Sequence, residues 1–235
     1  MNIQALTDLD HQLLFALNGS DSLFLDGMMM TLTSSVTWIP LYVALIYLVI
    51  KNNETMTQIF LVIGFAALCL LLSSGMADAF IKPLVGRIRP CNDPMLKYQI
   101  DVVDQYRPRT YSFFSGHASN TFSIALFLCL LVRSGLFSFF MITWSLLNAY
   151  SRLYLGVHYP SDVLAGFAWA TIVGLSVYWM YCRVNRKISV NANYISSQYT
   201  QTGYGHKDVH LVILVMSLSF MYVIFRGLVL FTYID

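Results

Sequence analysis

The chain has 235 residues, 57% of them hydrophobic and only 11% charged. Soluble domains run nearer a quarter charged, so the balance points to a membrane. A formal net charge of +2, with Lys and Arg dispersed, excludes a nucleic-acid binder or a protein built for a strongly acidic partner. At least five stretches are nearly free of Asp, Glu, Lys and Arg over about 20 residues, the length that crosses a ~30 Å hydrocarbon core. The whole of 1–235 reads as one all-α polytopic membrane domain.

In chain order, Ala5 to Leu17 carries Leu6, Leu9, Leu13, Leu14 and Leu17 at helical spacing with Asp8, Asp10 and Gln12 between them. This predicts a short helix lying in the interface, ended by Asn18-Gly19-Ser20. Six spans are predicted after it: Met28 to Ile50, Gln58 to Ile81, a short third from Ala118 to Val132, Gly135 to Leu155, Val163 to Cys182, and Val209 to Leu230. Two linkers are long. Lys82 to His117 is crowded with Lys, Arg, Pro and Asp, and Arg183 to Asp208 is rich in Ser, Asn, Gln and Tyr. Cys69, Cys129 and Cys182 lie in apolar stretches and only Cys91 in a polar loop, so neither a disulfide framework nor metal-ligand spacing is visible.

Six spans place both termini, the first long linker and the Leu155 to Asp162 turn on one face. The opposite face holds Lys51, Arg133, Arg183, Arg186, Lys187 and Lys207. With Lys82, Arg89 and Arg152 set aside as functional, that opposite face is the more basic and is expected to be cytoplasmic. The expected location is a bacterial inner membrane, with the motif face toward the periplasm or exterior.

Polar residues at span ends form three clusters on the motif face: Lys82 with Arg89-Pro90, then Ser115-Gly116-His117, then Ser151-Arg152 with His158 and Asp162. Three fixed cations, two imidazoles and a carboxylate suit a multiply charged anion with acid-base chemistry attached, and phosphate fits best. Arg presents a planar fork, Lys a compact charge, and a helix starting near Ser115-Gly116 aims free N–H groups at the same anion, with Gly116 letting the backbone approach closely. Phosphoryl transfer needs a nucleophile on one side and a proton for the leaving oxygen on the other. Asp162, four residues after His158, is placed to hold that imidazole in one tautomer. His158 is therefore the expected nucleophile and His117 the expected general acid, with a phosphohistidine intermediate. Taken singly, Lys82, Arg89 and Arg152 would be read as snorkelling anchors; their joint spacing reverses that.

Lys82-x-x-x-x-x-x-Arg89-Pro90, Ser115-Gly116-His117 and Ser151-Arg152-x-x-x-x-x-His158-x-x-x-Asp162 resemble the three-part signature of the type 2 phosphatidic acid phosphatase superfamily, which also includes the vanadium-dependent haloperoxidases. Spacing inside the first and third parts matches residue for residue. The resemblance implies a six-helix membrane fold, cofactor-free and metal-free hydrolysis of lipid phosphates through phosphohistidine, and phosphate binding by Lys82, Arg89, Ser115, Gly116 and Arg152. One position departs. Phe114 stands where the family usually has proline, which is expected to loosen the turn or shift substrate preference while removing no reacting group.

The expected substrate is a lipid phosphomonoester or diphosphate: undecaprenyl diphosphate, phosphatidylglycerol phosphate, phosphatidate or the phosphate of lipid A. A phosphotransferase sharing the same intermediate is the nearest alternative. A transporter is disfavoured, because its ionisable groups would lie near the midplane rather than at one face. Asp78 and Arg226 sit inside apolar spans and require partners: Asp78 is expected to position Lys82, and Arg226 to pair with Asp78 or reach a lipid headgroup. In the first long linker, Arg107 and Arg109 are candidate contacts to an anionic headgroup. That linker reads equally as a solvated loop or as a lid.

Overall fold

The computed structural model describes residues 3–188 and 197–232, and these are helical apart from the connections; among them the β pairing is one isolated bridge between Tyr199 and Gly205. In order come α1 (Ile3–Leu17), α2 (Leu23–Thr33), a 3-10 turn (Ser35–Trp38), α3 (Ile39–Lys51) and α4 (Met56–Leu70). Next come two π-helical turns (Leu71–Gly75 and Ala77–Ile81), then α5 (Lys82–Val85), α6 (Gly116–Val132), α7 (Gly135–Tyr154), α8 (Pro160–Ile188) and α9 (His206–Thr232). From α4 through α5 the chain is one continuous rod, Met56–Val85. Local sequence sets several starts: Ser22, Ser115 and Ser134 accept backbone N–H groups as N-caps, and Thr55 with Gln58 closes a capping box on α4.

Among the described residues three helices are long and apolar enough to cross a membrane: Met56–Val85, Pro160–Ile188 and His206–Val229. The expected first span is instead a pair, Leu23–Thr33 and Ser35–Lys51, bent by 65°. The break is held from within. Carbonyls freed at the bend are taken by side chains just beyond it, Thr37 Oγ1 donating to Thr31 O (2.7 Å) and Trp38 Nε1 to Leu32 O (2.8 Å). Gly116–Val132 is shorter, and α7 is too polar to rank with the three, because one face carries Ser145, Asn148, Ser151 and Arg152, all buried inside the protein.

The helix expected over Ala5 to Leu17 is present as α1, with Leu6, Leu9 and Leu13 exposed and Leu14 and Asp10 buried. At the other end α8 runs on past the expected Cys182 to Ile188, since Arg183-Val184-Asn185-Arg186-Lys187 continues a helix although it ends the apolar run. The middle of the second linker, 189–196, lies outside the described residues.

At the centre α6 packs against α4, α7 and most extensively α8. Gly166, Ala170 and Gly174 lie four residues apart on one stripe of α8, and Cβ atoms added at the two glycines would meet backbone oxygens of Ser115 (2.9 Å) and Ser123 (3.2 Å). Small residues at this spacing let two helices close at backbone distance. Dispersion between close backbones, not water exclusion, then holds the pair in lipid. Along the other side α9 packs on α2 and α3. Trp38 there is fully buried edge-on against Trp144 (5.7 Å) and Phe220 (5.2 Å), and emptying such an indole site costs about 3–5 kcal/mol.

Candidate active site

The residues of the three clusters meet at one end of the bundle. Lys82 opens α5 after the π turns, and those turns use the polar groups they free: Trp169 Nε1 donates to Leu72 O (2.9 Å) and Ser74 N to Asn120 Oδ1 (3.0 Å). A π turn holds an extra residue and so re-aims the helix beyond it. Lys82 is buried, and its Nζ lies 2.5 Å from Asp78 Oδ1, the pairing expected for Asp78. Arg226 is not paired with Asp78; it lines a cavity of about 820 Å³ between α9 and the α2–α3 bend, together with Asp104, Ser219 and Tyr222.

Ser115 N-caps α6, its Oγ accepting from Ala118 N (3.4 Å), and its N–H donates to Asp162 O (3.0 Å). Gly116 and His117 are thus the first two helical residues, whose N–H groups have no carbonyl one turn earlier to bond. A Cβ on Gly116 would lie 3.7 Å from Lys82 Nζ, so the helix start and the ammonium face a common space. Phe114, where the family usually has proline, is buried and packs beside Trp169 with ring centroids 6.2 Å apart.

Arg152 in the last turn of α7 is buried, its Nη1 donating to Thr33 Oγ1 (2.5 Å) and its Nη2 to Tyr106 OH (3.3 Å). Its Nε is buried and has no partner among the described residues. Arg89 is anchored by Nε to Thr110 O (2.7 Å), Nη2 to Thr110 Oγ1 (2.9 Å) and Nη1 to Val157 O (3.1 Å). The same Nη1 lies 3.2 Å from His158 Nε2. Gly156 makes the turn that delivers His158. It has φ +63°, and an added Cβ would stand 2.3 Å from Ile100 Cγ2, so both backbone and space call for glycine.

On the other side of the ring, His158 Nδ1 lies 3.5 Å from Asp162 Oδ2. The helix begins only at Pro160, so Asp162 does not reach His158 up a helical turn as expected. It reaches back as the third residue of α8, accepting from Tyr159 N (3.0 Å) in the manner of a capping box. Its neighbours orient the imidazole: the carboxylate calls for a proton on Nδ1, which leaves the Nε2 lone pair facing Arg89. Burial above all, together with the fields of Arg89 and Arg152, pushes the His158 imidazole down to about 3 against the pull of Asp162. At neutral pH the ring is uncharged. His117 sits within the fields of Arg152, His158, Lys82 and Arg89, which ties the two imidazoles and three cations to one cluster.

Several residues were not foreseen. Ser112 Oγ donates to Asp162 Oδ2 through a very short contact, Arg87 Nη1 donates to Asp162 Oδ1 (2.7 Å), and Asp10 of α1 accepts from Arg87 Nη2 (2.6 Å). The first long linker is neither a free solvated loop nor a detached lid. Cys91, Leu96 and Ile100 are buried, and Tyr106, Thr110 and Ser112 brace the site, while Arg107 and Arg109 stay exposed. A second cavity, about 440 Å³ and lined largely by apolar side chains of α3, α4 and α6, reaches Asn120 and Thr121. Thr121 Oγ1 donates to His117 O (2.8 Å), so this cavity ends one helical turn from the candidate acid.

The PAP2 superfamily model matches residues 59–186, more than half of the chain and every residue of the three clusters. The chain belongs to the PAP2 superfamily. It is 36% identical to a lipid A 4'-phosphatase of Bacteroides thetaiotaomicron over 80% of this chain and 81% of that one. To a lipid A 4'-phosphatase of Porphyromonas gingivalis it is 30% identical over 76% and 75%. Its fold is similar to that of a PAP2 type phosphatidylglycerolphosphate phosphatase of Bacillus subtilis in a crystal structure, with TM-score 0.55, 22% identity and coverage of 80% and 90%. This PAP2 superfamily member is an integral membrane protein.

Proposed function

We propose that this chain is a lipid phosphate phosphatase that cleaves a phosphomonoester from a lipid at the membrane surface, with a phosphorylated glycolipid of the lipid A type as the first substrate to test. The observation that carries this reading is the meeting of Lys82, Arg89, Arg152 and the start of α6 with the two imidazoles in one electrostatic cluster. The buried, unpartnered Arg152 Nε is a donor suited to an anionic oxygen. The apolar cavity, which ends one helical turn from His117, suits a hydrocarbon chain. The substrate class is that of the two lipid A 4'-phosphatase relatives.

In the mechanism, His158 Nε2 attacks phosphorus as the bond to the lipid oxygen breaks, and His117 gives that oxygen its proton. Asp162 keeps the Nδ1 proton in place and stabilises the charge that builds on the ring. Lys82, Arg89, Arg152 and the N–H groups of Gly116 and His117 hold the three equatorial oxygens. Water then attacks the phosphohistidine, giving its proton to His117, and the nitrogen–phosphorus bond breaks to release inorganic phosphate. Every charge in this scheme is carried by side chains and backbone, and activity is expected to persist in a chelator.

We infer further that six segments cross the bilayer: the bent α2–α3 pair, the Met56–Val85 rod, α6, α7, α8 and α9. The 17 residues of α6 extend about 25 Å, enough for a thin crossing. Lys51, Arg133, Arg183, Arg186, Lys187 and Lys207 then face the cytoplasm and the site faces outward across a bacterial inner membrane. The test of function is phosphate release from lipid A, undecaprenyl diphosphate, phosphatidylglycerol phosphate and phosphatidate by pure protein in detergent with EDTA, beside His158→Ala. Release by the wild type alone supports the proposal, and release only on adding a second acceptor would make the protein a transferase.

A further inference from the structure

Asp162 is fully buried and both of its carboxylate oxygens are committed. Oδ2 faces His158 Nδ1, Tyr159 N and Ser112 Oγ. Oδ1 is held by Arg87 Nη1, which donates also to Ser161 Oγ (2.7 Å). Arg87 governs the other oxygen as well, because its backbone carbonyl accepts from Ser112 N (2.8 Å) and so fixes the residue whose hydroxyl donates to Oδ2. The guanidinium carbon lies over the Tyr159 ring, 3.8 Å from its centre.

Behind Arg87 stands Asp10, a buried carboxylate on the inner face of α1. Its Oδ2 accepts from Arg87 Nη2 (2.6 Å) and from Ser161 Oγ (2.6 Å), and its Oδ1 accepts from Ser161 N (2.8 Å) at the start of α8. One carboxylate therefore clamps both the arginine and the helix end that carry Asp162. Asp10 lies outside the 59–186 stretch matched by the family model, and Arg87 occupies one of the unspecified positions between Lys82 and Arg89.

We propose that Arg87 and Asp10 are positioning residues for phosphoryl transfer: the chain Asp10–Arg87–Asp162 sets the aim and the basicity of His158 without touching the reacting atoms, so that α1 completes the site. This rests on the phosphatase reading above. With Arg87 removed, Oδ1 of Asp162 has lost its cationic partner, and the carboxylate turns or draws harder on the imidazole. Either motion moves Nε2 off line, and misplacement of a reacting atom by a fraction of an ångström lowers turnover more than binding. A carboxylate less neutralised by Arg87 also raises the His158 imidazole, whose other charged neighbours are Arg89, Arg152 and His117.

The experiment compares wild type, Arg87→Gln, Arg87→Lys, Asp10→Asn and the Arg87→Gln/Asp10→Asn double variant. Each is purified in detergent and monitored for phosphate release from one lipid substrate across pH 2.5–9, with thermal unfolding and elution profile measured alongside. The expected result for Arg87→Gln is a kcat loss of about tenfold to a hundredfold, the scale on which displacing a reacting atom slows turnover, with KM held within about twofold. Arg87→Lys restores part of the loss, Asp10→Asn gives a smaller one, and the double variant is no worse than Arg87→Gln alone. The acid limb of kcat/KM moves to higher pH in Arg87→Gln. Full activity in Arg87→Gln and Asp10→Asn overturns the proposal, and so does a loss that tracks thermal stability while the acid limb stays in place. A wild type inert toward every lipid phosphate overturns the phosphatase reading itself, an outcome distinct from an active wild type with active variants.

Discussion

Two glycines fifty positions apart in the chain lie beside the same site and respond to alanine in opposite ways. At Gly166 the new Cβ would stand 2.9 Å from Ser115 O and 3.3 Å from Ala118 Cβ, both belonging to the start of α6. Neither neighbour is the end of a flexible side chain, so α6 and α8 must separate by roughly half an ångström to restore van der Waals contact. Overpacking of this kind costs about 1–3 kcal/mol, offset in part by the 0.5–1 kcal/mol or so that alanine gains over glycine inside a helix. Net destabilisation of about 1–2 kcal/mol is expected. Turnover also falls, because Ser115 N donates to Asp162 O across the same junction and a shift there displaces the carboxylate behind His158. At Gly116 the new Cβ meets nothing closer than 3.7 Å, with Lys82 Nζ and Ser74 Cβ its nearest neighbours. Stability should hold or rise slightly, yet the methyl enters the space shared by the helix start and the ammonium, and KM for the lipid phosphate should climb. Thermal unfolding in detergent and steady-state phosphate release measure both variants. An alanine at position 166 that leaves stability and turnover unchanged, or one at position 116 that leaves KM unchanged, would refute the reasoning.

Replacing Thr33 by Val removes the hydroxyl that holds Arg152 Nη1 and leaves a buried cation short of a partner; a stability loss of about 1–3 kcal/mol and a raised KM are expected in unfolding and rate assays. In the substrate-free protein the His158 imidazole lies far below its ordinary 6.5, at about 3, so nitrogen NMR of labelled histidine should report a neutral ring protonated on Nδ1 from pH 8 down to 5. A titration midpoint near 6.5 would contradict this. The same depression makes the buried neutral ring a stabilising feature that is fully present above pH 6.5, the unfolded value, and lost as pH falls from there toward 3. Unfolding midpoints measured over that interval in wild type and His158→Phe should converge as the pH drops.

The candidate site was legible because its residues recur at fixed intervals: Lys82 and Arg89, Ser115 to His117, and Arg152 to Asp162 are local spacings, and the structure draws them to one end of the bundle. Arg87 and Asp10 were not, since 77 residues separate a loop arginine from a carboxylate in the amphipathic α1, and neither carries a spacing rule. One signal was present at Asp10. It lies four residues before Leu14, and both are buried on the one face of α1 that docks, while Leu6, Leu9 and Leu13 turn outward. The stripe of Gly166, Ala170 and Gly174 was readable in the same way as a close helix contact. Hydropathy alone put the end of α8 at Cys182, because the apolar run stops there while helix propensity does not. The bend after Thr33 and the π turns before Lys82 depend on which side chains reach the freed backbone groups, Trp38, Thr37, Asn120 and Trp169, and those partners are fixed only once the helices have packed.

The central claim is a phosphoryl group carried on one nitrogen, and it can be met directly. Wild-type protein mixed with phosphorus-labelled lipid phosphate in EDTA, quenched in alkali within a turnover and digested for mass spectrometry, should yield an acid-labile phosphate on the peptide containing His158. His117→Ala should slow both the appearance and the loss of that label, because His117 serves both steps. Continued turnover with no label on His158, or label that survives in His158→Ala, would contradict the account.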